Sequence, residues 1–268
     1  MKAICPAVAA FALSFIYIPL ICTQVIYGQA TPPNAPPMPP EQVQQKPAPA
    51  AQPPLSQEQK MLQDWPNLAR YRNDDVKAGA PATGEDRVVF MGDSITDGWS
   101  LAQFFPGKPY INRGISGQTT PQMLVRFRPD VIALKPKLVV ILAGTNDLAG
   151  NTGPETLEDI ESNLASMAQL AQANGVKVVL SSVMPVCDYI KPQTEHRPPG
   201  KIITLNSWIK DFCTRNGFIY LDYYSAMLDE KNMLKKELTR DGLHPNNAGY
   251  QTMGPLASKA IETALGKS

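Results

Sequence analysis

The chain has 268 residues, of which 43% are hydrophobic and 18% are charged, enough for one large domain or two small domains with a proper core. Lys and Arg total 25 and Asp and Glu total 24, so there is no excess charge to bind nucleic acid or an acidic membrane surface. The two histidines are His196 and His244. Their small number excludes a histidine-rich zinc site, and any histidine base must be one of them.

The first thirty residues have the composition of an export signal or a membrane anchor. Lys2 is their only charge, an apolar run occupies residues 3–26, and the small residues Gly28 and Ala30 follow. This pattern favours a secretory signal cleaved after Ala30. An uncleaved anchor is the alternative, because the run is long enough to span a bilayer. Under either interpretation the rest of the chain is exported, as a periplasmic, secreted or cell-surface protein.

Residues 31–55 are dominated by proline, alanine and glutamine. They contain ten of the 26 prolines and no apolar periodicity. Such a segment cannot bury apolar surface, so we expect it to be an extended, disordered linker. The folded domain is predicted to occupy residues 56–268.

Within that domain, short apolar runs typical of buried strands alternate with amphipathic patterns typical of helices. In chain order the predicted elements are strand 87–91, strand 110–112, helix 121–134 interrupted at Pro129, strand 138–142, helix 154–174, strand 176–181, helix 202–213, strand 218–221 and helix 246–265. The alternation implies parallel strands joined by right-handed crossovers, with helices on both faces of the sheet. The sequence therefore predicts an α/β fold, a three-layer α/β/α sandwich around a five-stranded parallel sheet, with its site at the carboxyl ends of the strands.

Polar groups or glycines follow three of these strands. Ser94 lies in a Gly-Asp-Ser-Ile-Thr motif after the first strand, where its hydroxyl would be exposed beside the free N–H groups of a helix start. Gly117 follows the second strand and can present an unobstructed N–H. Asn146, in Gly-Thr-Asn-Asp after the third strand, can direct its amide at the same space. Each also has an ordinary structural interpretation, as a helix cap, a turn glycine and a turn asparagine.

A carboxylate and a histidine precede the last predicted helix. Asp241 lies three residues before His244, so it can bind one nitrogen of the imidazole while the other takes a proton from a nucleophile. An exposed histidine in a surface loop is the alternative. The rival base, His196, lies in a polar, proline-rich loop and is interpreted as a solvated histidine at the rim. The rival acid, Asp222, is interpreted as a structural hydrogen-bonding residue.

Taken in order, the motifs Gly-Asp-Ser-Ile-Thr, the glycine at 117, Gly-Thr-Asn-Asp and Asp-x-x-His resemble the blocks of the SGNH hydrolases, also called GDSL-type esterases. The resemblance covers about residues 86–265. It implies a flavodoxin-like domain with a five-stranded parallel sheet, in agreement with the strands predicted independently.

The resemblance also implies a role for each matched residue. Ser94 would be the nucleophile, His244 the general base and Asp241 the acid that orients it. The oxyanion hole would consist of the backbone N–H groups of Ser94 and Gly117 and the side-chain amide of Asn146. The reaction would need no metal and no other cofactor.

The sequence around the motifs looks like the branch of the family that acts on small acyl groups, which includes platelet-activating-factor acetylhydrolase-like proteins and carbohydrate acetylesterases. We therefore expect a serine ester hydrolase for short-chain esters, acetyl above all, of a small molecule or a carbohydrate. Trp99 and Tyr189 are candidates for stacking on a sugar ring. A lysophospholipase or thioesterase of the same fold is the alternative. A third hypothesis is an inactive surface-binding module, which the complete set of motif residues argues against.

Two cysteines of the predicted domain, Cys187 and Cys213, are expected to remain unpaired. Export favours a disulfide, but the predicted topology places Cys187 near the carboxyl edge of the sheet and Cys213 near the opposite edge. About eleven helical residues would separate the two levels by roughly 16 Å, whereas a disulfide needs Cα atoms within about 7 Å.

Overall fold

The computed structural model describes residues 62–267, together with Ser56 and Gln59. The predicted signal or anchor of residues 1–30 and the predicted linker of residues 31–55 lie outside the described residues. Among the helices that the structure does describe, none is both long enough and apolar enough to cross a membrane.

Helices and strands alternate along the described chain, as the sequence predicts. Their bounds are α1 Arg72–Ala78, β1 Val88–Gly92, α2 Ser94–Asp97, α3 Leu101–Phe104, β2 Tyr110–Gly114, α4 Thr120–Asp130, β3 Leu138–Leu142, α5 Thr145–Leu148, α6 Leu157–Ala173, β4 Lys177–Ser181, α7 Pro199–Asn216, β5 Ile219–Leu221, α8 Tyr223–Met227 and α9 Asn247–Leu265. Short 3₁₀ turns occupy Ile132–Leu134 and Lys236–Leu238.

The five strands form one parallel sheet in the order β2-β1-β3-β4-β5. Gly92 at the end of β1 pairs with Gly114 of β2 on one side and with Leu142 of β3 on the other. The three strands therefore end at one level, and the loops that follow them emerge side by side. The chain reverses its direction of travel across the sheet between β1 and β3, and such a switch point forms a crevice at the carboxyl edge.

The sheet is covered on both faces, which explains why its strands are continuous apolar runs rather than alternating ones. All five residues of β1 are buried. Val89 and Met91 pack into the core that lies beneath α4, α6 and α7. Val88 and Phe90 point to the opposite face, into the core beneath α9. The predicted three-layer α/β/α architecture is confirmed.

Three of the predicted helices differ from the observed ones by three or more residues at an end. The helix predicted over 154–174 begins only at Leu157, after Thr156, which caps it. The helix predicted over 121–134 ends at Asp130, with Pro129 in its last turn, and the chain continues as a 3₁₀ turn. Proline has no N–H to bond to the carbonyl four residues earlier, so it weakens the helix, which ends one residue later. The helix predicted over 202–213 is longer at both ends: it begins at Pro199 and ends before Gly217, whose left-handed conformation closes it.

Cys187 and Cys213 are both free and buried. Cys187 packs in the core on the α9 face of the sheet, and Cys213 packs in the core on the α6 and α7 face. The sheet therefore lies between the two thiols.

Candidate active site

Ser94 is the first residue of α2 and lies two residues beyond the end of β1. The preceding residue, Asp93, caps the helix, because its Oδ1 accepts a hydrogen bond from the Ile95 N–H at 2.9 Å. Complete burial raises the pKa of the Asp93 carboxyl to about 7, although the Ile95 N–H bond opposes the rise. Because the N–H groups of a first helical turn have no acceptor within the helix, the Ser94 N–H is available beside the Ser94 hydroxyl.

Glycines at the end of β2 and in the loop after it let the chain come close to this turn. A Cβ atom on Gly114 would overlap the backbone of Thr96 and Asp97. Gly117 has a φ of +81°, a conformation that glycine adopts without steric cost. No acceptor in the part of the chain that the structure describes binds the Gly117 N–H, which leaves this donor for a ligand.

Ser94, His244 and Asp241 are brought together in one hydrogen-bonded chain, although 150 residues separate the first two. The Ser94 Oγ lies 2.9 Å from His244 Nε2, and His244 Nδ1 lies 2.7 Å from Asp241 Oδ2. The ionised carboxylate can only accept, so Nδ1 carries the proton and Nε2 accepts from the serine hydroxyl. This is the geometry in which an imidazole can take a proton from a nucleophile.

The Asp241 carboxylate is kept ionised by its neighbours. Its Oδ1 accepts the backbone N–H of His244 at 2.8 Å and that of Leu243 at 3.1 Å. Burial alone would raise the pKa of Asp241, but these bonds and the bond from the His244 ring together lower it below its ordinary value. A charged acid is what stabilises the imidazolium that forms when His244 takes a proton.

The loop that carries Asp241 and His244 is fixed by its own turn and by a neighbouring loop. The Thr239 hydroxyl accepts the Gly242 N–H at 3.0 Å and donates to the His244 carbonyl at 2.9 Å. The Gly242 carbonyl accepts the Cys187 N–H at 2.9 Å. A Cβ atom on Gly242 would overlap the Cys187 carbonyl, so only glycine fits this contact.

His196 and Asp222, the alternative base and acid, have the structural roles that the sequence predicts for them. His196 is exposed. Asp222 caps α8, where its carboxylate accepts the Ser225 N–H at 2.9 Å and the Ser225 hydroxyl at 2.7 Å. Neither residue takes part in the chain of bonds to Ser94.

Asn146 lies on α5, directly after β3, and is 3% exposed. Its Nδ2 donates to the Gln118 carbonyl at 2.9 Å, and the Asn151 Nδ2 donates to the Gly117 carbonyl at 3.1 Å. These two bonds join the loops after β2 and β3 beside the turn that begins at Ser94. Since an amide nitrogen has two hydrogens, one N–H of Asn146 is left to donate to a ligand. The arrangement permits the predicted oxyanion roles of Ser94, Gly117 and Asn146, which stay predictions.

Residues 90–252, more than half of the chain, match the sequence model of the GDSL-like Lipase/Acylhydrolase family. The chain belongs to this family. The resemblance drawn from the motifs is therefore confirmed. The structure is similar to that of a GDSL-like lipase from Bacteroides thetaiotaomicron, with a TM-score of 0.70, 44% identity, and coverage of 75% of this chain and 99% of that chain.

Two curated relatives of this GDSL-family chain are more distant. One is an acetylxylan esterase from Xylanibacter ruminicola, 28% identical over an alignment of 223 residues, with coverage of 68% of this chain and 45% of the relative. The other is an uncharacterized lipoprotein from Bacillus subtilis, 30% identical over an alignment of 132 residues, with coverage of 42% of this chain and 54% of the relative. The chain spans about half the length of these curated relatives.

The position of Trp99 corrects an expectation from the sequence. Trp99 is only 3% exposed. Its ring stacks on that of Tyr250, with centroids 5.4 Å apart, and meets Phe90 edge-on at 5.7 Å. It therefore cannot stack on a sugar, because it belongs to the aromatic part of the core on the α9 face.

Tyr189 is exposed, and its contacts are with residues of the chain after α8. Its hydroxyl donates to Asp229 at 2.6 Å, and its ring lies 6.0 Å from the Lys231 ammonium. The cleft that it lines is formed by residues 228–237 and contains none of the predicted catalytic or oxyanion residues. Tyr189 thus lines a different cleft from the one that Gly117 borders.

Arg197 is a candidate positioning residue that the sequence did not reveal. It is 9% exposed, and its guanidinium donates to Asn146 Oδ1 at 3.4 Å and to Thr145 Oγ1 at 3.1 Å. Because the amide oxygen of Asn146 is bound by Arg197, the nitrogen is the atom left to donate towards a ligand. No sequence pattern indicates that Arg197 is buried beside Asn146 while its neighbour His196 is exposed.

A second unpredicted feature is a pair of carboxyl groups behind Asn146. Asp147 Oδ1 accepts the Thr120 N–H at 2.8 Å, while Asp147 Oδ2 and Glu155 Oε2 are buried without any other partner among the described residues. Burial raises the pKa of both carboxyls, that of Glu155 to about 7, with the charge of Asp147 as the second cause for Glu155. We interpret the pair as a carboxyl and a carboxylate that share one proton.

The described residues contain no group of three or more His, Cys, Asp or Glu side chains that could hold a metal ion. The groups that meet at the site are a hydroxyl, an imidazole, a carboxylate and neutral N–H donors.

His244→Ala is expected to lower kcat for a chromogenic acetyl ester by about 10³-fold or more, because it removes the imidazole that accepts the serine proton. His196→Ala is the control and should leave kcat within about twofold, because that side chain is exposed and outside the bonded chain. Equal losses in the two variants, in protein shown by circular dichroism to be folded, would contradict the assignment of the base.

Arg197→Met is expected to lower kcat for the same ester by about tenfold and to change KM little. Loss of an oxyanion donor lowers the rate by about 10²–10³-fold. In this variant the Asn146 amide remains, but Arg197 no longer holds its oxygen, so a smaller loss is expected. Arg197→Lys should recover part of the loss. Arg215→Met, which alters an exposed arginine near the other end of α7, is the control and should behave as the unmodified chain does.

Glu155→Gln is expected to change how stability depends on pH. A raised pKa means that Glu155 binds its proton more tightly in the folded chain than in the unfolded chain. The free energy of unfolding that this proton contributes is therefore fully present below about pH 4 and is lost as the pH rises through about 7. The glutamine amide donates to Asp147 at every pH and has no such loss. Urea unfolding at about pH 5 and about pH 8 should show the unmodified chain losing stability relative to the variant. The exposed Glu158→Gln is the control, and parallel curves for the unmodified chain and Glu155→Gln would show that no proton is shared.

Proposed function

We propose that the domain is a serine ester hydrolase that removes short acyl groups, acetyl above all, from a carbohydrate. The observation that carries the proposal is the continuous set of hydrogen bonds from Ser94 through His244 to Asp241. It lies at the switch point of the sheet, in a chain of the GDSL-like lipase/acylhydrolase family.

The first half of the reaction forms an acyl-enzyme. His244 Nε2 takes the Ser94 proton as Oγ attacks the carbonyl carbon of the ester. The negative charge that develops on the carbonyl oxygen is stabilised by the N–H groups of Ser94 and Gly117 and by the Asn146 amide. The tetrahedral intermediate then collapses, the bond to the alcohol oxygen breaks, and His244 gives its proton to the departing alcohol.

The second half repeats these steps with water. His244 removes a proton from a water molecule whose oxygen attacks the acyl carbon. The intermediate collapses, Ser94 leaves and recovers its proton from His244, and the carboxylic acid is released. Asp241 stays ionised throughout and holds the ring orientation, consistent with its lowered pKa.

The lining of the cleft that reaches Gly117 supports a short acyl group and a polar alcohol. The cleft has a volume of about 620 Å³, and eight of its twelve lining residues have polar side chains. A long acyl chain in this cleft would remove water from those of the polar groups that have no partner among the described residues, such as the Asn67 amide, at a cost in free energy. The acetylxylan esterase among the relatives supports the same substrate class.

We also propose that the domain acts outside the cytoplasm. The support is the composition of residues 1–30, together with the lipoprotein among the curated relatives.

The proposal is tested by labelling and by the dependence of rate on acyl length. An organophosphonate should attach to Ser94, as located by peptide mass spectrometry, and Ser94→Ala should lose both labelling and hydrolysis. Chromogenic esters of increasing acyl length should show kcat/KM falling by about tenfold or more from acetyl to octanoyl. A maximum at long acyl chains would favour the lysophospholipase or thioesterase alternative, and an unlabelled, inactive protein would favour a binding module.

A further inference from the structure

The segment before α1 forms one wall of the cleft that reaches Gly117. Residues 63–69 line the cleft on one side, and the loops after β2 and α5 line it on the other. This segment lies outside the residues that match the family model, which begin at residue 90. The cleft is thus built from the shared core of the family together with a part of the chain that the family model does not describe.

Side-chain amides bind the backbone of this segment to the loop and helix that follow β2. Gln118 Nε2 donates to the Pro66 carbonyl at 2.7 Å, and Gln122 Nε2 donates to the Trp65 carbonyl at 2.7 Å. The Asp64 carboxylate accepts the Leu68 N–H at 2.8 Å. The wall therefore has a fixed conformation next to Gly117 and Asn146.

The same segment is anchored a second time, at its end. The Tyr71 hydroxyl donates to the carbonyl of Gly114, the last residue of β2. The Tyr71 ring is 6% exposed and lies against the Arg113 guanidinium, with the carbon of the guanidinium 4.6 Å from the ring centroid. Both contacts tie the wall to the strand from which the loop of Gly117 emerges.

Trp65 is the large aromatic residue of this wall, and 39% of its surface is exposed. Full burial of an indole is strongly favourable, so a tryptophan held in place by its backbone at the edge of a cleft has apolar surface available to a ligand. Most other large apolar side chains of the described residues are in the two cores.

Hydrogen-bonding groups without protein partners lie beside Trp65. Within the described residues, the Asn67 side chain makes no hydrogen bond, and Asn151 uses its Nδ2 for the Gly117 carbonyl and leaves its Oδ1 free. An aromatic surface bordered by amides fits the face of a sugar ring and its hydroxyl groups. It fits an acyl chain less well, because an acyl chain has no groups that could bind the amides.

From these observations we infer that the cleft between residues 63–69 and the loop of Gly117 is a sugar-binding subsite, with Trp65 as its stacking surface and Asn67 as a hydrogen-bonding partner. The inference rests on the proposed function, because the sugar bound here belongs to the carbohydrate whose acetyl ester reaches Ser94. The subsite makes the enzyme favour acetylated oligosaccharides over small acetyl esters, whose alcohol is too short to extend from Ser94 into the cleft.

Binding is measured first, in the full chain carrying Ser94→Ala so that no ester is cleaved. Acetylated xylo-, manno- and gluco-oligosaccharides are titrated by calorimetry. We expect at least one series to bind and Trp65→Ala to weaken it by about tenfold or more. Trp65→Phe should retain most of the affinity. Asn67→Gly removes the amide without straining the backbone, since Asn67 has a positive φ, and should weaken binding about threefold or more.

Tyr189→Ala is the matched control, because Tyr189 is also aromatic and is 37% exposed but lines a different cleft. It should leave the affinity unchanged. No binding to any of the three series, unchanged affinity in both Trp65→Ala and Asn67→Gly, or an equal loss in Tyr189→Ala would overturn the subsite.

Kinetics with Ser94 intact separate this inference from the proposed function. Trp65→Ala should raise KM for the acetylated oligosaccharide that binds best by about tenfold, with a much smaller change in kcat. Hydrolysis of 4-nitrophenyl acetate by the unmodified chain tests the esterase alone. If that ester is hydrolysed and Trp65→Ala leaves KM for the oligosaccharide unchanged, the subsite fails and the esterase stands. If neither ester is hydrolysed, the proposed function fails, whatever the calorimetry shows.

Discussion

The contact between the turn after β1 and the end of β2 is the constraint on which the rest of the site depends. The turn brings Ser94 to the edge of the sheet, and Gly114 lets the backbone of Thr96 and Asp97 lie directly against β2. Two donors then bind the Gly92 carbonyl: the Ile115 N–H at 3.0 Å and the Arg126 guanidinium at 3.0 Å. A side chain at Gly114 would push the turn away and separate the serine from every other group of the site.

Hydrogen bonds from buried charged groups and amides also fix the loops of the site relative to the turn after β1. Arg126 is fully buried, and besides the Gly92 carbonyl it binds the Gln118 side chain and the Asp130 carboxylate. A buried guanidinium is tolerated only when its donors are satisfied, so these partners cannot move independently. Gln118 in turn binds both Asn146 and the segment of Trp65. The donors of the predicted oxyanion hole are therefore held in place before a substrate arrives, which is the condition for effective electrostatic catalysis.

The same network connects the chemistry to the choice of substrate. The wall formed by residues 63–69 is bound to the loop and helix after β2 by the amides of Gln118 and Gln122. A change in that wall would reach Gly117 through one or two hydrogen bonds. Asn67 lies on the same wall, but within the described residues its side chain makes no hydrogen bond to the loop, so a change there is not carried to Gly117 by this route.

The sequence by itself determined the order of strands and helices, the parallel sheet and the groups that meet at Ser94. Apolar runs such as residues 138–142 can be recognised locally, and parallel strands with crossovers have few possible arrangements, so their loops had to emerge at one edge. Which aromatic and charged side chains are buried was decided only by the tertiary structure. Trp99 and Trp65 have equally aromatic side chains, yet one lies among the rings of the core and the other at the edge of a cleft. Arg197 and its neighbour His196 have opposite exposures because the turn at Arg197 directs its side chain to Asn146. Such differences in exposure depend on contacts between residues that are distant in sequence, and a local sequence pattern does not predict which distant residues will be in contact.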